Sequence, residues 1–241
     1  EALRSADFRL LDIDPAAARI IAGVGRRYAE AYKSRATFLP TDDAARALEG
    51  ADFVVITIST GGLDAMEPDI KIPERYGIYQ TVGDTVGPGG WARGLRNIPI
   101  FADYAEKFRR YCPDAFILNY TNPMATLTRT LGLCTPQPVV GLCHGVFENY
   151  EHLMHIFGLK EERQISARYA GVNHFFWFLD FTINGKPGYP LLQRKLRNRS
   201  FGELIRDAYR DPAGMDSVAH RVCGELLDEF GLLPYTGDRH I

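Results

Sequence analysis

Long apolar runs are missing from this 241-residue chain. No segment approaches the roughly 18 apolar residues that a membrane-spanning helix needs, so no membrane span is expected. An excess of one charge is missing as well. Lys and Arg number 28 against 30 Asp and Glu, a formal net charge of −2, which gives no electrostatic case for a nucleic acid partner. The basic cluster Arg194-Lys195-Leu196-Arg197-Asn198-Arg199 stands alone and reads as a solvated face. Cysteine is scarce. Cys112, Cys134, Cys143 and Cys223 are too few for a disulfide framework at this length and indicate a reducing, cytoplasmic setting, in which any special cysteine serves a metal or chemistry. Internal repeats and low-complexity tracts are absent too. What is left is ordinary globular composition, 46% hydrophobic and 24% charged, sufficient for one large domain or two small ones.

What is present is an alternation of short apolar runs with amphipathic stretches. Phe8 to Ile13 reads as a strand, and Pro15 to about Lys33 as the helix that follows. A brief strand at Phe38 precedes Thr41-Asp42-Asp43, which caps a short helix ending at Gly50. Asp52 to Ser59 is a β-branched run that reads as a buried strand stopped by Gly61-Gly62. Ile98 to Tyr111 has helical spacing. Ala115 to Tyr120 is a further buried strand broken by Asn122-Pro123, Met124 to Leu131 returns as helix, and Pro138 to Leu142 is the next strand. This order predicts a parallel sheet covered by helices, a Rossmann-like α/β fold. The strand at Phe8 ends in acid, as the second strand of a dinucleotide-binding unit does. The first strand and its Gly-x-Gly phosphate loop are therefore expected upstream and are missing from this sequence.

After about residue 150 the pattern changes. Ile165 to Ile183 alternates and is rich in aromatics, and Asn184-Gly185-Lys186 reads as a tight hairpin turn. The expected organisation is a dinucleotide-binding domain over 1–150 followed by an α+β catalytic domain over 151–241.

The chemistry sits at strand ends. Asp12 closes the first strand, where a carboxylate can accept both ribose hydroxyls of NAD; Asp14, before Pro15, reads as a helix N-cap. Ser59-Thr60-Gly61-Gly62 follows the next apolar strand, either as a ligand-facing loop or as a plain turn. Asn122 precedes Pro123, so its backbone is extended and its amide can point out of the sheet edge. Gly141-Leu142-Cys143-His144-Gly145 again follows a strand, and a Cys-His pair there can supply a thiolate to a divalent metal and an imidazole to proton transfer. A buried small hydrophobe is the alternative for Cys143. Ala170-Gly171-Val172-Asn173-His174-Phe175-Phe176-Trp177 places a second histidine in an aromatic, strand-like run. Two such sites are too few for a structural zinc cage, so an open metal site completed by substrate oxygens is the better metal reading.

Taken together, Gly83-Asp84-Thr85-Val86-Gly87-Pro88-Gly89-Gly90, Asn119 to Met124, Gly141 to Gly145, Gly171 to Trp177 and Gly237 to His240 closely resemble glycoside hydrolase family 4, whose NAD domain is shared with lactate and malate dehydrogenases. The segments occur in the family's order and cover nearly the whole chain. The resemblance implies that Cys143 and His174 hold a manganese-like divalent ion and that Asn122, Asp84 and His144 face substrate. Asp12, Ser59, Thr60 and Asn122 would face NAD+. Asp238 would be the base and His144 the acid. It further implies hydrolysis through transient oxidation at C3, loss of the C2 proton, elimination of the glycosidic oxygen, addition of water and return of the hydride, rather than through paired carboxylates. His144-Gly145 after the cysteine looks like members acting on unphosphorylated α-glucosides, α-galactosides or α-hexuronides, and Arg93, Arg96 or Arg239 could pair with a uronate carboxylate. The expected partner is a small glycoside, and the expected assembly is a homo-oligomer, dimer or tetramer. The competing reading is an NAD-dependent 2-hydroxy-acid dehydrogenase of lactate or malate type, which would need no metal and would leave Cys143 idle.

Overall fold

The computed structural model describes residues 3–210 and 220–235. The chain forms two compact units that interleave along the sequence. The first comprises Glu1–Ile56, Pro99–Asn119 and Thr128–Val140, and the second comprises Thr57–Ile98, Tyr120–Leu127 and Gly141–Ile241.

The first unit is α/β with parallel strands, as the alternation predicts. Strand β1 (Asp7–Leu11) leads into α1 (Pro15–Ala31), β2 (Thr37–Thr41) and α2 (Ala44–Leu48). Asp14 caps α1 by accepting from Ala16 N at 2.8 Å, and Asp43 caps α2 through Ala45 N, also at 2.8 Å. Each carboxylate satisfies an amide that the helix itself leaves unpaired. Strands β1 and β2 pair in parallel, with Phe8 and Phe38 stacked 5.0 Å apart. Strands β3 (Phe53–Ile56), β4 (Phe116–Asn119) and β5 (Val139–Gly141) form a separate parallel sheet in the order β3-β4-β5. The expected single sheet is thus in two pieces.

The expectation of a buried strand over Asp52 to Ser59 needs correction. Phe53 and Val55 are 67% and 60% exposed. Among the described residues β3 pairs with β4 alone, and the face that carries Phe53 and Val55 is left uncovered despite its apolar character. β4, paired on both edges, buries Ile117 and Asn119 completely.

Helix α3 (Gly62–Glu74) carries Pro68 and Pro73 internally, which hides it from a reading by pattern. Helix α4 (Gly87–Tyr111) begins well before Ile98, inside the glycine-rich segment, and α5 spans Met124–Cys134.

The second unit is built around an antiparallel sheet. Strands β6 (Ile165–Val172) and β7 (Phe175–Ile183) pair with Val172 opposite Phe175, so Asn173 and His174 are the two turn residues between them. His174 is therefore not in a strand but at a hairpin tip, with a left-handed backbone (φ 61). Asn184 and Gly185 also have positive φ, which suits the tight turn leading to β8 (Lys186–Pro187). Strand β9 (Leu233–Pro234) pairs with the other end of β7. Helices α6 (Gly145–Phe157), α7 (Gly188–Leu196), α8 (Phe201–Tyr209) and α9 (Arg221–Phe230) complete the unit. Its core contains Leu153, Phe178, Phe181, Leu192, Ile205 and Leu233. Each such side chain contributes roughly 1.5–3 kcal/mol through removal from water. The charged residues of the 194–199 segment are exposed, as a solvated face requires.

Candidate active site

Four segments of the second unit bring their chemistry together. The first is the glycine-rich loop before α4. A Cβ on Gly90 would lie 2.2 Å from the carbonyl carbon of Thr85, so only glycine allows the loop to fold against the helix start. This holds Asp84, whose Oδ1 accepts from Thr85 Oγ1 at 2.7 Å. The second is the turn after β4, where Asn122 Nδ2 donates to Asp84 Oδ2 at 2.8 Å. The third is the Cys143 loop entering α6, and the fourth is the β6–β7 hairpin tip with Asn173 and His174.

His174 is buried and links the last two segments to the first. Its side chain hydrogen-bonds with Cys143, and its Nδ1 lies 3.7 Å from Asp84 Oδ1. Burial alone would discourage its charge, but Asp84 and Cys143 outweigh burial and raise its pKa to about 9. Cys143 moves the opposite way. Burial opposes its ionisation, yet hydrogen bonds from His174, Gly145 N and Asn173, together with the charge of His174, hold the thiol below its usual range. The two shifts run in opposite directions, each group favouring the charged form of the other.

This donor set fits a divalent ion. A thiolate and an imidazole are ligands that divalent zinc-like sites draw from side chains, and a metal would take the place of the proton they share. Asn173, whose amide reaches Cys143, also keeps a buried Oδ1 with no hydrogen-bond partner, an acceptor that a metal-bound water or a substrate hydroxyl would complete. Among the described residues no group of three or more His, Cys, Asp or Glu is arranged as a closed cage. Two protein ligands alone would leave the remaining coordination positions to substrate oxygens or water.

Around this cluster, Tyr235 was not anticipated from the sequence. It is 2% exposed, its ring lies 5.1 Å from that of His174, and its backbone N donates to Phe176 O at 2.8 Å. Burial, then the charges of Glu148, Cys143 and Asp84, push its phenol well above the usual range. The adjacent Thr236-Gly237-Asp238 stretch was the only signal that could have pointed to it. His144 is exposed at the start of α6, and its Nε2 lies 2.9 Å from Glu148 Oε1 one turn on. Thr60 Oγ1 donates to Asn97 Oδ1 at 2.7 Å, while Ser59 is exposed. Asp12 lies in the first unit, where it is exposed and accepts from Asp14 N at 2.9 Å. Asp238 and Arg239 lie outside the described residues.

Comparison with known proteins shows the family of the chain. The family model "Family 4 glycosyl hydrolase" matches residues 1–159, and "Family 4 glycosyl hydrolase C-terminal domain" matches residues 169–241. The chain is 40% identical over 205 residues to an alpha-galacturonidase of Bacillus subtilis, covering 81% of this chain and 46% of that protein. It is 38% identical over 241 residues to an alpha-galactosidase of the same organism, covering 100% of this chain and 52% of that protein. The chain thus spans about half the length of these curated relatives. In fold it is similar to a 6-phospho-alpha-glucosidase from gut microorganisms solved with NAD and Mn2+, with a TM-score of 0.82 and 23% identity over 98% of this chain and 52% of that one.

Proposed function

Because this chain belongs to the family 4 glycosyl hydrolases, we propose that the protein hydrolyses unphosphorylated α-glycosides, of a neutral sugar or a hexuronide, with NAD+ and a manganese-like ion. The observation that carries the reading is the contact of Cys143 with His174 beside the Asp84–Asn122 hydrogen bond. NAD+ would supply reversible hydride acceptance at C3, and the ion Lewis-acid polarisation of the sugar's O2 and O3.

The chain's own residues would do the rest. Cys143 and His174 would hold the ion, with the Asp84 carboxylate 3.7 Å behind His174 as a negative charge that favours it. Asn122, whose amide NH is committed to Asp84, would present its oxygen to a sugar hydroxyl. His144, held by Glu148, is assigned as proton donor to the leaving oxygen. Asp238 is the candidate base for the C2 proton, and Asp12, Ser59, Thr60 and Asn122 are the candidates for contact with NAD+. A division near residue 150, a cytoplasmic location and a homo-oligomeric state belong to the same reading.

The test is a panel of 4-nitrophenyl α-glycosides assayed with NAD+, Mn2+ and a thiol reductant. Nitrophenol release that needs both additions is expected. A 2-hydroxy-acid oxidation with net NADH formation and no nitrophenol release would replace this reading with that of a dehydrogenase.

A further inference from the structure

Three arginines could meet an anionic sugar, and their surroundings are not alike. Arg96 already holds a carboxylate with both terminal amino groups, although its buried Nε has no hydrogen-bond partner. Its Nη1 and Nη2 donate to the two carboxylate oxygens of Asp69 at 3.0 and 2.5 Å, and Asp69 is 8% exposed. A buried, bidentate Arg–carboxylate pair has no capacity for a second carboxylate in the same plane. Arg239 lies outside the described residues.

Arg93 is different. It sits on α4, one turn before Arg96, and is half-buried. Its Nε donates to the backbone oxygen of Asn122 at 3.1 Å. Among the described residues it has no carboxylate partner, so both terminal amino groups remain available. The peptide that anchors it carries Asn122, which bonds Asp84, which in turn faces His174. Arg93 is therefore the outer member of the chain of contacts that ends at the Cys143–His174 pair.

Arg93 is half-buried, spends one donor on a neutral acceptor and keeps its terminal amino groups for a further acceptor. Its fork is shaped for a planar carboxylate, which it would bind through two parallel N–H bonds. In a hexuronide that carboxylate is C6, attached to the ring away from the C2–C3 edge that the metal pair would hold.

We infer that Arg93 reads a carboxylate at C6 of the sugar, so that the preferred substrate is an α-linked hexuronide rather than a neutral glycoside. The inference rests on the α-glycosidase reading above and names its substrate class. Phosphate at C6 and the pyrophosphate of the cofactor are the other anions a guanidinium could take, and the experiment separates them.

The protein, with NAD+, Mn2+ and a thiol reductant, is assayed on 4-nitrophenyl α-D-galacturonide, the corresponding α-D-galactoside and its 6-phosphate. Wild type, Arg93→Met and Arg93→Lys are compared, with a thermal melt of each as a folding control. The wild type is expected to prefer the galacturonide. Arg93→Met is expected to lower kcat/KM on the galacturonide at least ~30-fold more than on the galactoside, mainly through KM, as loss of one partner of a desolvated charge pair does. Arg93→Lys, a point charge without the fork, is expected to restore part of that preference. Equal losses on both sugars, whether or not the KM for NAD+ rises, would overturn the inference and make Arg93 a support for Asn122 or a cofactor contact. So would a wild type that prefers the galactoside or the 6-phosphate, although the glycosidase reading would then survive. If the wild type releases nitrophenol from no α-glycoside, that reading falls first, and this inference with it.

Discussion

Asn122 donates its side-chain amide to Asp84 across 38 positions of sequence, and Asp84 Oδ1 lies 3.7 Å from His174 Nδ1. One carboxylate thus holds the residue assigned to the sugar and lies within ion-pair distance of one of the two assigned to the metal. Asp84→Asn keeps the size of the side chain but removes its charge and turns half of its acceptor capacity into a donor. A loss of roughly 10–100-fold in Mn2+ affinity is expected, the range found when a partner behind a metal ligand is removed. Mn2+ titration followed by activity or calorimetry measures it; an unchanged affinity would separate Asp84 from the metal site.

Cys143→Ser should reduce activity by more than that outer-partner range of about 10–100-fold, because a hydroxyl is a far poorer ligand than a thiolate. The fold should be little affected, since the thiol sits on a loop at the start of α6 rather than in the apolar core. Metal content, circular dichroism and nitrophenol release together decide the matter. Wild-type metal content and activity in the serine variant would make Cys143 a packing residue only.

Gly145 faces the ring of Tyr235, where an added Cβ would meet Cε2 at 2.1 Å. Gly145→Ala must displace a fully packed aromatic ring, at a cost of about 1–3 kcal/mol. The same displacement would disturb His174, whose ring lies 5.1 Å from that of Tyr235. Denaturant unfolding should therefore report lost stability and metal titration weaker binding in the same variant. A fall in one without the other would uncouple Tyr235 from the site.

Away from the site, His152 accounts for an expected acid sensitivity. Its Nδ1 lies 2.8 Å from Tyr209 Oη and its Nε2 3.0 Å from that of His220. Burial, followed by the charges of His220 and His155, lowers its pKa from 6.5 to about 3. As pH falls below about 6.5 the unfolded chain binds a proton that the folded chain refuses, so stability declines by up to about 1.4 kcal/mol per pH unit until about pH 3. Above that window His152 contributes nothing to the slope. Urea unfolding at a series of pH values from roughly 4 to roughly 7 should show the decline in the wild type and a shallower one in His152→Gln. Identical slopes would assign the acid sensitivity to other groups.

Turnover should slow when the substrate carries deuterium at C2 or at C3, since the proposed route breaks both C–H bonds and a displacement at C1 breaks neither. The comparison requires conditions in which chemistry rather than product release limits the rate. Unchanged single-turnover rates with both labelled sugars would rule the route out.

Much of this molecule follows from local sequence. Asp14 and Asp43 cap their helices because a short carboxylate at that position satisfies free amides, whatever the distant chain does. Apolar runs at 116–119 and 139–141 become parallel strands, and Asn184-Gly185 turns β7 back, for reasons contained within a few residues. The Cys143-His144 loop and Asn122 likewise announce themselves as polar groups at strand ends. Other features depend on partners far along the chain. β3 has the apolar pattern of a buried strand, yet its exposure is set by what packs on the sheet face, which no pattern within the strand encodes. His174 reads as part of a strand, but the register of β6 against β7 makes it the tip of the hairpin. Arg93 and Arg96 are equivalent as letters; only the bidentate hold of Asp69 on one, and the single bond of Asn122 to the other, tells them apart. Local propensity acts over a helical turn or a strand, whereas hydrogen bonds and burial couple whatever the fold brings within about 3 Å, and that is why tertiary structure alone decided which of the polar residues share one site.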